Sequence, residues 1–141
     1  MKRNKILIVF FAVFCMCLQN VFADIPVTIQ INNVDTNGGK IYGYINFSER
    51  TYKNKIEETV FLLNPSNSVI FHEINLPEGE CVVSIFQDNN GNGILDTGLL
   101  NIPKEPVGLT NYSGGIPGNY NKLKIVISNN NSKIIIPLIT F

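Results

Sequence analysis

The strongest constraint on this chain is a period of two. Val27, Ile29 and Ile31 alternate with Thr28 and Gln30, which puts the apolar side chains on one face of an extended strand. The same alternation returns from Lys40 to Phe47 through Ile41, Gly43, Ile45 and Phe47, after the turn signal Asn37-Gly38-Gly39. Thr59–Leu63 and Ser68–Ile74 are further strand candidates, split by Asn64-Pro65-Ser66. Pro77-Glu78-Gly79 then turns the chain into Glu80–Gln87. Strand character comes back at Leu123, Ile125 and Ile127, and again from Ile134 to Phe141. Pro137 lies inside that last run and marks it as an edge strand or a strand with one face free. Residues 48–58 are polar and charged, an exposed connection with room for one helical turn. No amphipathic helix of useful length follows, so the pattern predicts an all-β sandwich of about seven short strands.

Residues 1–23 follow a different logic. Lys2, Arg3 and Lys5 precede thirteen uncharged residues from Ile6 to Leu18, and Val21-Phe22-Ala23 ends on a small residue. A basic start, a short apolar middle and a small-residue exit describe a secretory signal peptide cleaved after Ala23. Thirteen residues rise about 20 Å as a helix, too short for a bilayer that needs roughly 20 apolar residues. No membrane span is expected after cleavage, and the sandwich domain is assigned to residues 24–141, secreted or periplasmic.

Cleavage changes the charge arithmetic. The whole chain balances 11 basic against 11 acidic residues, but three of the basic ones lie in the signal. The remaining 118 residues carry a net charge of −3, which argues against nucleic acid as a partner. Cys15 and Cys17 leave with the signal, so Cys81 cannot form an internal disulfide. Its alternation with Val83 and Ile85 places it in the core as an inert thiol.

From Asp88 to Tyr120 regular patterning stops. The stretch holds seven glycines and three prolines, and a loop of that length calls for a functional reason or a bound ion. Its first nine residues, Asp88-Asn89-Asn90-Gly91-Asn92-Gly93-Ile94-Leu95-Asp96, match the opening positions of an EF-hand-type calcium loop. Side-chain oxygens of Asp88, Asn90 and Asn92 converge as the chain curls. Gly93 allows the bend, the Ile94 carbonyl adds a main-chain oxygen, and Asp96 closes the far side. Leu95 is expected to point away and pin the loop to the core. The twelfth position, where a bidentate glutamate belongs, is Leu99. Glu105, the nearest downstream carboxylate, or water must complete the shell, and weak Ca²⁺ binding is the expectation. The competing explanation is an Asn/Gly turn whose side chains cap their own backbone.

The same region carries a resemblance. Leu76-Pro77-Glu78-Gly79, a strand, the Asp88–Asp96 run, Ile102-Pro103-Lys104-Glu105-Pro106, Gly108 and Thr110-Asn111 look like the DUF2141 family of small secreted bacterial proteins of uncharacterised function. The resemblance implies an immunoglobulin-like or prealbumin-like β-sandwich. The chain departs from the family's habit at Cys81 and near Val107 and Leu109, where aromatic residues are usual, and at Gln87, where a histidine is usual.

The residue inventory argues against an enzyme. His72 is the one histidine and Arg50 the one arginine beyond the signal, so neither a triad nor a multi-histidine metal centre can be assembled. A hydrolase with its site in the 88–120 loop remains the alternative of a different class; it requires His72 or Arg50 beside that loop's carboxylates. A carbohydrate-binding module is the other alternative, resting on Tyr42, Tyr44, Tyr112 and Tyr120. The leading expectation is a non-enzymatic binding or structural module with a calcium-stabilised loop. Its candidate partners are a glycan, an envelope protein or a second copy of the chain.

Overall fold

The computed structural model describes residues 24–141; the signal-peptide assignment falls on residues 1–23, outside the described residues. Eight strands form two sheets. Strand β1 (Ile25–Asn32) is the centre of the smaller sheet, flanked by β4 (Val69–Leu76) and β8 (Lys133–Pro137). It pairs antiparallel with β4, Ile25 opposite Leu76 and Asn32 opposite Val69, but parallel with β8, Ile29 opposite Ile134. The larger sheet runs β3 (Thr59–Leu63), β2 (Ile41–Asn46), β5 (Gly79–Gln87) and β6 (Val107–Leu109), with β7 (Ile125–Ile127) also paired to β5.

The alternation read from the sequence is the alternation of burial. Val27, Ile29 and Ile31 face inward from β1, as do Ile41 and Ile45 from β2 and Cys81, Val83 and Ile85 from β5. With Ile134 and Ile136 of β8 they form one core between the sheets. Strand β5 is buried on both faces because a second cluster covers its outer side, where Tyr112, Tyr120 and Leu123 pack on Val82. Burial pushes the Cys81 thiol up to about 11, which keeps it protonated and unreactive.

Two features complete the frame. Helix α1 (Glu49–Lys53) is the expected single turn, capped by Ser48 accepting from the Thr51 N–H, and α2 (Tyr120–Leu123) is as short. On one flank Val107 exchanges backbone bonds with Ile139, tying the two sheets together. On the other flank β3 and β4 are both outer strands, and the Phe61 ring of β3 stacks on His72 of β4 at 4.6 Å. Pro137 ends β8 at the edge of its sheet, as its missing N–H requires.

Candidate metal centre

Strand β5 delivers Asp88 to one end of the sandwich. Gln87, fully buried, accepts from the Asp35 N–H and donates to the Asp35 and Gly39 carbonyls at 3.0, 2.7 and 3.1 Å. One side chain thus fastens the β1–β2 turn to the root of the loop. The Asp88 N–H donates to the Lys40 carbonyl, and a Cβ on Gly39 would overlap the Asp88 carbonyl. This close approach is why the turn carries glycine.

The Asp88 carboxylate organises the curl that follows. Its Oδ1 accepts from the Gly91 and Asn92 N–H groups at 2.8 and 3.2 Å, and Oδ2 accepts from Gly93 at 2.8 Å. Gly91 and Gly93 both sit at φ +76°, in the left-handed region, which supplies the bend expected of Gly93. Asn90 Oδ1 accepts from the Asn92 N–H at 3.0 Å and Asn92 Oδ1 from the Ile94 N–H at 2.8 Å. The amide nitrogens of Asn90 and Asn92 both donate to Asp96 Oδ2, the second at 3.0 Å. Asp88, Asn90, Asn92 and Asp96 are therefore one hydrogen-bonded cluster, and Ile94 joins it through its backbone. Leu95 does not pin the loop: it is only half-buried and lies outside both apolar clusters. The anchor is Glu105, whose Oε1 accepts from the Asn89 N–H at 2.9 Å and Oε2 from the Asp96 N–H at 3.1 Å.

The electrostatics of the loop are one-sided. Asp88 is 2% exposed and Glu105 4%. Five backbone N–H groups solvate these two carboxylates but bring no net positive charge. Among the described residues the ion pairs are Lys53–Glu49 and Lys124–Glu80, both away from the loop. No three His, Cys, Asp or Glu side chains of the described residues gather to hold a metal. A cation here must be met by amide and carbonyl oxygens as well as carboxylates, a set that suits a hard ion such as Ca²⁺. A half-turn of the Asn90 and Asn92 carboxamides exchanges nitrogen for oxygen where they now donate to Asp96.

The residues a hydrolase would need stay apart from the loop. Register places Ile41 opposite Gln87 and Asn46 opposite Val82, so α1 and its exposed Arg50 follow the end of β2 farthest from Asp88. His72 is stacked on Phe61, and burial lowers its pKa. The tyrosines divide. Tyr112 and Tyr120 are buried in the second cluster, whereas Tyr42 and Tyr44 stand side by side, stacked on Phe86 with ring centroids 5.0 and 6.2 Å away.

The model of a family described as uncharacterised proteins conserved in bacteria, DUF2141, matches residues 29–135. The chain belongs to the DUF2141 family. Comparison with curated proteins and with solved structures finds no match. Within this DUF2141 chain, two elements escaped sequence reasoning. Gln87 belongs to no motif, though its three bonds hold the loop's root. The hairpin between Asp96 and Lys104 was hidden in a stretch without alternation.

Proposed function

We propose that this DUF2141 protein is an exported, non-enzymatic binding or structural module whose loop is stabilised by Ca²⁺. The ligands are Asp88, Asn90, Asn92, Asp96 and the Ile94 carbonyl, with Glu105 or water completing the shell. The observation that carries this reading is the pair of buried carboxylates, Asp88 and Glu105, without a cationic partner among the described residues. Buried charge is ordinarily paired or bound to metal. Export rests on the basic, apolar and small-residue pattern of residues 1–23, and an N-terminus beginning at Asp24 in the processed protein tests it.

An affinity on the order of 10⁻⁴–10⁻³ M suits a loop with few carboxylates. At free calcium ten times Kd, binding to the folded form alone adds roughly 1.4 kcal/mol. For 118 residues that raises the melting midpoint by about 5 °C. Melting residues 24–141 with calcium and with chelator, beside Asp88→Ala, is the test. Equal midpoints in both buffers, with no calcium heat in calorimetry at millimolar metal, would remove the ion from the account.

A carbohydrate-binding reading also has a specific observation behind it. Tyr42 and Tyr44 lie half-buried on the outer face of the larger sheet, and a Cβ on Gly93 would sit 3.5 Å from the Tyr42 hydroxyl. An aromatic surface beside an ion loop suits a sugar's apolar face and hydroxyls. Glycan-array binding that Tyr42→Ala and Tyr44→Ala abolish would establish it; an empty array would leave an envelope protein or a second copy as partner.

A further inference from the structure

Directly above the ion loop the chain forms a small hairpin. The Lys104 N–H donates to the Asp96 carbonyl at 2.9 Å, Thr97 bridges Pro103, and the Gly98 N–H donates to the Ile102 carbonyl at 2.7 Å. Its tip is Leu99-Leu100-Asn101, with Leu100 and Asn101 at φ +59° and +58°. Left-handed backbone is costly for a side chain as large as leucine. The strain serves no packing: Leu99 and Leu100 are 85% and 84% exposed, Ile94 66% and Ile102 48%. Between Thr97 and Pro103 there is no charge, and exposed Lys104 stands at the base.

We infer that this tip docks the protein peripherally on an anionic phospholipid bilayer, in a calcium-dependent way. The calcium dependence rests on the ion site proposed above. The apolar surface argues for lipid over protein. Four partly exposed aliphatic residues amount to less than three residues' worth of surface, whereas a stable protein interface takes roughly 20–30 residues a side. A convex tip needs no matching pocket in a bilayer, where two leucines enter the acyl boundary beneath the headgroups. Charge supplies the calcium dependence. Asp96 and Glu105 stand at the base of the hairpin and Asn92 links Asp88 to Asp96, and residues 24–141 carry −3, so an anionic surface repels them. A bound dication removes two of those negative charges and lets the leucines reach the membrane. Among the described residues no helix is long and apolar enough to cross a membrane.

The test is co-sedimentation of residues 24–141, which hold the whole described fold, with phosphatidylcholine–phosphatidylglycerol vesicles. Residues 1–23 are omitted because Ile6–Leu18 would itself partition into lipid. Binding in millimolar calcium is expected to fall at least about tenfold in chelator and at least about tenfold in Leu99→Ser/Leu100→Ser. That variant should keep its melting midpoint and its calcium heat. Calcium heat without vesicle binding overturns the docking and leaves the ion site standing. Vesicle binding that persists in chelator, without calcium heat, yet is lost in the leucine variant, overturns the ion site and supports the tip. Vesicle binding unchanged by the leucine substitutions overturns the tip. Self-association that those substitutions abolish, without vesicle binding, assigns the tip to a second copy and overturns the lipid.

Discussion

Replacing Glu105 by glutamine changes one oxygen to an amide nitrogen and removes one charge. In the native loop the two carboxylate oxygens accept from the Asn89 and Asp96 N–H groups at 2.9 and 3.1 Å. Glutamine keeps one acceptor; its NH₂ then faces the other N–H, donor against donor. A hydrogen bond to a charged group contributes about 1.5–3 kcal/mol, and the surviving bond drops to the neutral range of about 0.5–1.5 kcal/mol. Relief of repulsion between Asp88 and Glu105 works in the opposite direction. Because Glu105 is 4% exposed, the lost bond outweighs that relief, and the net cost is about 2 kcal/mol. For 118 residues this lowers the midpoint by about 8 °C in chelator. Thermal denaturation followed by circular dichroism measures it. Millimolar calcium should widen the gap, since the variant has one carboxylate fewer to offer the ion. An unchanged or higher midpoint in chelator would show that carboxylate repulsion, not the two bonds, governs the loop, and the anchoring role of Glu105 would fall.

Three further outcomes follow from single side chains. Gly39→Ala forces a methyl group into the Asp88 carbonyl, so the variant should lose about 1–3 kcal/mol and weaken in calcium heat. Calorimetry against Gly98→Ala, where an added Cβ meets nothing nearer than 3.5 Å and the backbone is not left-handed, separates that contact from a general glycine effect. Cys81, raised to about 11 by burial, should resist iodoacetamide at pH 8 in the folded protein and react at once in denaturant; prompt labelling of the native state would refute its burial. Burial lowers the His72 pKa below its ordinary value, so near and below about pH 6.5 the unfolded chain binds the extra proton. Stability contributed by the neutral ring is complete above that pH and is lost as pH falls. His72→Phe, which keeps an aromatic ring beside Phe61, should therefore melt less pH-dependently than the native protein between pH 7.5 and 5.5. Parallel profiles would remove His72 from the account.

The sandwich was legible wherever one face of a strand is buried and the other wet. β1 and β2 announce themselves by period, and Pro137 announces an edge. β6 was not legible: Val107–Leu109 is three residues long, and Gly108 at its centre is there because a Cβ would meet Ile136 and the Pro137 carbonyl. Such a contact exists only after two distant segments meet, so no local pattern can carry it. In the loop, the clustering of Asp88, Asn90, Asn92 and Asp96 was readable because residues of one tight curl lie within nine positions, and their oxygens cap the curl's own N–H groups as an Asn/Gly turn does. The roles of Gln87 and Leu95 were not, because which side chain anchors a loop depends on what the rest of the fold brings beneath it. Glu105 was reachable by counting carboxylates, though not its position as acceptor for two loop N–H groups.

The parallel pairing of β1 with β8 has a consequence for time as well as shape. The first strand of the described fold is completed by the last, and Asn33 donates to the Leu138 carbonyl across 105 positions. A contact so far apart in sequence closes a long loop before it returns any stabilisation, which slows folding relative to chains built from neighbours. While the polypeptide emerges from the ribosome, β1 can find β4 but the smaller sheet stays short of its third strand until residues 133–137 appear. The core between the sheets therefore stays incomplete until the last strand of the described fold has been made.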